Sequence, residues 1–364
     1  VRLIIGKVLS FFRSTLLALI LLITILISCV VGTAVLPDEV GRVAVFSSLW
    51  FNSLLVLLVL NVAFCFFSRV RLKGWNLVST GMIIFHLSFV SMFAGIIIDS
   101  LFYYRGILRL TEGETMALKD PNAYDEEYWG RFFKHEWIHG VITFHKLHTE
   151  YREANLNKGV ANEISVVGDR HVKGVIYPTR HLDFNDFRFY RNKDGFAPLF
   201  VLYDRNGREL YGAFVALQSF EVKKGVFLYS TGTKQGGPGS AEFPQIPGMP
   251  PLFKIQFIYH LPKLKSGDNS ASFKVWDYDK ARENGEGRLL YEGTAPMGER
   301  VSFGDYSLSM NEARYWASID VLYNPGQPIV MASLWLGLSG MVMTFIGRLR
   351  RRRNYSTITD QLSG

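Results

Sequence analysis

Hydrophobic positions are unevenly distributed along this chain. Four runs of about 20 residues carry no Asp, Glu, Lys or Arg: 14–35 (STLLALILLITILISCVVGTAV), 46–67 (FSSLWFNSLLVLLVLNVAFCFF), 77–98 (opening LVSTGMIIFHL) and 328–347 (PIVMASLWLGLSGMVMTFIG). An α-helix rises about 1.5 Å per residue, so each run matches a bilayer core of about 30 Å. Between the third and fourth runs the pattern changes. LFVLYDRNGRELYGAFVAL (199–217) alternates on either side of Asn206-Gly207, a strong β-hairpin signal. VFLYS (226–230), FKIQFIYHL (253–261), FKVWDYD (273–279) and YWASIDVLY (315–323) read as further strands. The Gly/Pro-rich segment 231–251 reads as a long loop. Residues 121–162 show helical rather than alternating spacing.

The pattern therefore predicts a membrane protein with four transmembrane α-helices and a large β-rich extracytoplasmic domain between the third and fourth. The predicted regions are a three-helix membrane region (1–98), the β-rich domain (99–327), the fourth helix (328–347) and a basic cytoplasmic tail (348–364). The β-rich part is expected to form one or two antiparallel sandwich or barrel-like modules. Gly32-Thr33-Ala34 and LISC (26–29) offer signal-peptide and lipoprotein cleavage patterns. The first run nevertheless continues past Cys29 to Val35, beyond the usual apolar core of about 7–15 residues, and reads as an uncleaved span.

Charge orients the spans. The net charge is +8, from 40 basic and 32 acidic residues. Residues 1–14, 68–76 and 348–364 together carry eleven basic residues and one acid, leaving −2 for everything else. Basicity is thus membrane-flanking, which argues against a nucleic-acid partner. The positive-inside rule places both termini and RVRLKGW (69–75) in the cytoplasm. The β-rich region then lies outside, on the periplasmic side of a bacterial inner membrane. The two cysteines, Cys29 and Cys65, both fall in apolar runs, so the polar region has no disulfide framework and no CxxC motif. They lie roughly 20 Å apart along the membrane normal and cannot pair within one chain.

One ionisable ring lies inside a span. His86 is nine residues beyond Leu77, about 14 Å along a helix and close to mid-bilayer. Ionisable groups at that depth are costly and commonly functional. Neutral imidazole is a good ligand for haem iron. A packing role, for instance a hydrogen bond to Asn61 of the second run, stands beside ligand binding or proton relay. Met82 shares the His86 face, but two residues of one straight helix cannot bind opposite sides of one iron. A second cluster, HEWIHGVITFHKLH (135–148), holds His135, His139, His145 and His148. On a helix, His135 and His139 would share a face, as would the other two, and could serve a metal. With Trp129, Phe132, Phe133 and Trp137 nearby, an amphipathic segment at the membrane surface is the favoured reading. Cys65 is a packed thiol or a minor accessory. The sequence offers no Ser-His-Asp arrangement, P-loop or GxGxxG, so no catalytic residue is identified.

Several stretches resemble the ResB (CcsB) family of system II cytochrome c biogenesis: ILISCVVGTAVLP (25–37), FSSLWFNSLLVLLVLNVAFC (46–65), FHLSFVSMFAG (85–95), LDFNDFRFY (182–190) and YNPGQPIVMASLWLGLSGMVM (323–343). Their order and the three-plus-one layout match the family. Asn324 stands where the family often has Asp, and the outer region is compact. The resemblance implies a haem transport and cytochrome c synthase complex that carries reduced haem across the membrane and presents it to apocytochrome c. Thioether attachment then occurs at CxxCH. It further implies His86 as a haem ligand, non-covalent haem as cargo, no metal beyond its iron, and a separate ResC/CcsA-like integral membrane partner. Whether such a subunit counts as an enzyme is left open by the resemblance. The rival reading is a membrane-anchored β-domain that binds another envelope ligand or scaffolds a complex.

Overall fold

The protein is described by a computed structural model covering residues 11–12, 14–36, 41–46, 48–70, 76–223, 226–234, 237–246, 248–260, 270–279 and 286–362. Arg2, Lys7, Arg13, Arg71 and Lys73, which carry much of the flanking charge, lie outside those residues. The chain forms two compact units. One contains the chain up to Arg105, Glu127–His135 and the chain from Leu322; the other contains Gly106–Glu126 and Glu136–Val321.

Among the described residues, the first unit contains the α-helices α1 (Thr15–Val30), α2 (Leu49–Val70), α3 (Leu77–Phe102) and α4 (Gln327–Leu362). Among the described residues, three segments are long and apolar enough to cross a membrane: Thr15–Val35, Leu77–Phe102 and Gln327–Arg351. The apolar stretch described in α2 is shorter, Leu49–Cys65. Ser14 caps α1 by accepting the Leu17 N–H at 3.3 Å, and Asn76 caps α3 by accepting the Ser79 N–H at 2.9 Å. The wide-turn segment Val31–Val35 carries the first helix past Cys29, as its unbroken apolar run implies. The last helix does not stop at residue 347 but continues through the basic stretch to Leu362.

Packing in this unit is of two kinds. Leu21 and Ile25 of α1 bury against Phe51, Leu55 and Leu58 of α2, with Phe93, Ile96 and Ile97 of α3 alongside. Polar groups add links: Asn52 Nδ2 donates to Ser100 Oγ at 2.9 Å, and Ser100 Oγ donates to the Phe46 carbonyl at 2.7 Å. The α3–α4 contact is different, because small residues recur every seven positions on both helices. Gly81, Ser88 and Gly95 on α3 run antiparallel to Gly326, Ser333, Gly340 and Gly347 at and along α4. A Cβ on Gly81 would lie 2.7 Å from both the Gly340 carbonyl and the Thr344 nitrogen. One on Gly340 would lie 2.7 Å from the Phe85 nitrogen. The two backbones therefore touch directly, the close approach that small residues allow between apolar helices. Asp99 on α3 accepts the Gly326 N–H at 3.3 Å, just ahead of the α4 N-terminus.

The second unit is β-rich. A seven-stranded sheet runs in the order β3 (Tyr124–Trp129), β1 (Tyr104–Thr111), β19 (Tyr306–Tyr323), β8 (Phe187–Asp204), β7 (Leu182–Phe184). In addition, β18 (Arg300–Phe303) pairs with β19, and β9 (Glu209–Phe214) with β8. A six-stranded sheet runs β10 (Gln218–Lys223), β11 (Val226–Ser230), β15 (Phe253–His260), β16 (Ser270–Tyr278), β17 (Glu286–Pro296), with β14 (Ala241–Phe243) on β15. Strand alternation places Phe253, Ile255 and Phe257 of β15 and Phe273 and Val275 of β16 on one buried face. They join Phe200 and Leu202 of β8 and Leu308 and Met310 of β19, so the two sheets share one core. Phe200 meets Phe257 edge to face at 4.5 Å, an arrangement aromatic rings favour. The expected hairpin is present. Gly207 adopts φ +78°, and the Asp204 carboxylate accepts the N–H groups of Asn206 and Arg208, each at 2.9 Å.

Two sequence expectations are corrected. Residues 121–162 are not helical: apart from a short 3-10 turn at Pro121–Ala123 and another at His135–Trp137, they form β3, β4 (Val141–Glu153) and much of β5 (Leu156–Val167). Together with β2 (Thr115–Ala117) and β6 (His171–Ile176), these make a four-stranded sheet, β2-β4-β5-β6. A bulge between Phe144 and Lys146 explains the misreading. It shifts the alternation by one, so the buried positions fall at Ile142, Phe144 and Leu147, a spacing that imitates a helix. The segment 231–251 is likewise not one loop. It contains β12 (Gly232–Lys234), β13 (Gly237–Gly239) and β14, with Gly232 opposite Gly239. Glycine pairs through its backbone and leaves no side-chain alternation to read.

Candidate functional site

His86 lies on α3, half-buried. Its Nδ1 is 2.8 Å from the Met82 carbonyl oxygen, one turn earlier. A carbonyl only accepts, so Nδ1 carries the hydrogen and Nε2 carries the lone pair. A backbone carbonyl holding one ring nitrogen in this way fixes the tautomer in which the other can coordinate a metal. The Phe85 ring stands edge to face with the imidazole at 5.7 Å.

Beside the imidazole runs an open-sided groove of about 350 Å³ between α3 and α4, lined by Met82, Phe85, His86, Met341, Thr344, Phe345 and Arg348. Toward the N-terminal end of α4 a smaller hollow of about 140 Å³ continues past Phe85 and Met341, lined also by Ser88, Ser333 and Gly337. The small-residue contact explains both. Where two backbones touch, the larger side chains on either side leave a channel along the seam. The lining is apolar and aromatic, with one imidazole nitrogen and one guanidinium. An imidazole and a guanidinium are thus set along an otherwise apolar, aromatic groove with the Thr344 hydroxyl between them.

Asn61 is not the partner of His86. It is fully buried on α2, and its Nδ2 donates to the carbonyls of Phe12 at 2.9 Å and Ser14 at 3.1 Å. Cys65, one turn on, places its Sγ 3.9 Å from the same Phe12 oxygen. Both residues therefore tie the chain entering α1 to α2, the Ser14 carbonyl also accepting the Ala18 N–H at 3.3 Å. Replacing Asn61 by Leu should lower the melting midpoint through the loss of about 1 kcal/mol. An unchanged midpoint would contradict that role. Neither Cys29 nor Cys65 is in a disulfide.

The histidines of 135–148 do not assemble. His135 belongs to the helical unit, His139 to the β unit. His135 Nε2 stands 3.8 Å from Glu127 Oε1, which accepts the Tyr104 hydroxyl at 2.6 Å. Trp129 packs edge-on against His135 at 4.7 Å, and Tyr104 stacks on Phe133 at 4.7 Å. This knot is tied to the end of α3 by N–H donation from Phe132 to Leu101 and from Gly130 to Tyr103. His145 reaches Ser165 and His148 reaches Glu163, both along the β4–β5 pair. The amphipathic-helix reading of 135–148 is replaced by a turn and a bulged strand. Among the described residues no group of three His, Cys, Asp or Glu side chains could hold a metal.

His139 has a measurable consequence. Its Nε2 donates to Asp169 at 2.7 Å and its Nδ1 lies 3.1 Å from the Trp137 carbonyl. The Asp169 bond, then the Trp137 carbonyl, raise its pKa above the ordinary 6.5. A raised histidine stabilises the fold fully below the unfolded-state value, and that contribution is lost as pH rises through the folded-state value. The gap in melting midpoint between the protein and its His139→Gln variant should therefore be wider at pH 5.5 than at pH 8.5. An equal gap at both would remove the titration argument.

No protein-family model matches the chain, and no curated protein matches it.

Proposed function

We propose that this chain is the ResB-like subunit of a haem transport and cytochrome c synthase complex in a bacterial inner membrane. In this reading all four helices cross the bilayer, both termini are cytoplasmic, and the β unit lies on the periplasmic side. The flanking basic residues support that orientation. The observation that carries the functional reading is the His86 tautomer: a mid-span imidazole whose Nδ1 is taken by Met82, beside a groove between α3 and α4.

The chain's own part is to hold and orient. His86 offers a ligand to the iron, and the aromatic lining excludes water from the porphyrin faces. When bound, reduced haem would accept the imidazole as a ligand and bring the vinyl groups for thioether attachment. The ResC/CcsA-like partner completes the haem path, and apocytochrome c receives the cargo. An extended CxxCH segment could be received at a sheet edge; β17 ends the six-stranded sheet. No catalytic residue is assigned to this chain. The test is to purify the chain together with its integral membrane partner and assay bound b-type haem as the pyridine haemochrome. Near-stoichiometric haem is expected. A complex without haem overturns the proposal and leaves a tethered β-domain.

A further inference from the structure

Five arginines follow the last apolar run: Arg348 and Arg350 to Arg353. Read from charge alone they form one membrane-flanking cluster. The fold separates them, because among the described residues Arg348 alone of the five lines the groove that holds His86. Its neighbours on that face are Met341, Thr344 and Phe345, at the seven-, four- and three-residue spacings that share one side of a helix. The antiparallel register fixes its depth. Thr344 stands level with Gly81, and Gly347 with Val78. Arg348 is thus about nine residues, or ~13 Å, to the cytoplasmic side of His86 along the helix axis. The groove has the His86 imidazole at one level and, under the proposed orientation, a permanent cation at its cytoplasmic rim. Its walls between them are apolar apart from the Thr344 hydroxyl, which donates to the Gly340 carbonyl at 2.9 Å.

We infer that Arg348 is a positioning residue that pairs with a carboxylate of the cargo, so that haem sits with its propionate edge toward the cytoplasm and its vinyl edge toward the outer face. The inference rests on the haem reading of His86 and adds an orientation to it. Its chemistry is charge complementarity. A guanidinium stays charged at every relevant pH and meets a carboxylate through a two-pronged set of hydrogen bonds, strongest where water is scarce. Iron ligation alone leaves the macrocycle free to rotate about the iron–nitrogen bond. A cation at one end of the groove removes that freedom and delivers the vinyl groups, which form the thioethers, leading edge first.

The test uses the full chain purified with its membrane partner, stripped of haem and titrated with haemin or with haemin dimethyl ester, whose propionates are uncharged. The complex should prefer free haemin by at least about tenfold. Arg348→Gln should lose that preference while binding the diester as before and keeping the same Soret position. Arg348→Lys should retain part of the preference, and Arg350→Gln, which lies off the groove, all of it. A preference undiminished in Arg348→Gln overturns the inference and leaves His86 ligation intact. Equal binding of haemin and diester by the unaltered complex also overturns it. No binding of either porphyrin overturns this inference and the haem reading together.

Discussion

Substituting Gly340 by Leu should abolish accumulation of the protein in the membrane, and Gly340→Ala should already be severely destabilising. The reason is geometric. A Cβ at residue 340 would meet the Phe85 nitrogen at 2.7 Å and the Gly81 carbonyl at 2.8 Å, and both are backbone atoms of a regular helix. Neither can rotate away, so the helices must separate. Overpacking costs about 1–3 kcal/mol at an ordinary core position. Here the separation would spread along a seam that also includes Gly81, Gly95 and Gly347. Gly337 provides the internal control. Its Cβ would meet the Ser88 hydroxyl at 2.7 Å, a side-chain atom that can swing aside. Gly337→Ala should therefore be mild, and milder still with Ser88→Ala. Membrane abundance and melting midpoint in detergent, compared across the four variants, check the order. Equal tolerance at 337 and 340 would mean the register is wrong.

The second large effect concerns function. Under the haem reading, His86→Ala should lower covalent attachment in cells at least tenfold, measured by haem staining of c-type cytochromes, with normal abundance of the variant in the membrane. Imidazole in the medium should restore part of it, because a small ligand can enter the space left by the ring. Asn61 donates to Phe12 and Ser14 rather than to His86, so the variant leaves those bonds in place. The Gly340 and His86 effects are thereby distinguishable: one removes the protein, the other only the attached haem.

Much of this architecture was readable from residue order because burial imposes periodicity. The apolar helices announced themselves by length, and the Asn206-Gly207 turn by the positive φ that Gly207 adopts. Three features were hidden for physical reasons. The β4 bulge broke the two-residue period after Phe144 and so resembled a helix. The small-residue seam escaped because Gly81, Ser88 and Gly95 do not stand out within an apolar run; its signal was the seven-residue spacing repeated at 326, 333, 340 and 347. Arg348 was masked by the arginines around it, since a charge count cannot tell which one faces a groove. At the site itself, His86 was legible as an ionisable ring at mid-span. Its tautomer was not, because that depends on a backbone carbonyl. The reach of Asn61 to Phe12 and Ser14 was equally invisible, since backbone acceptors leave no mark on residue identity.

The measurement closest to the centre of the account is the absorption spectrum of the purified complex with its membrane partner, recorded for the unaltered chain and for His86→Ala before and after adding imidazole. The account predicts a Soret band that is strongly reduced in the variant and recovers in intensity with imidazole. A variant whose Soret band matches the parent in position and intensity would contradict ligation by His86, and the groove between α3 and α4 would then need a different occupant.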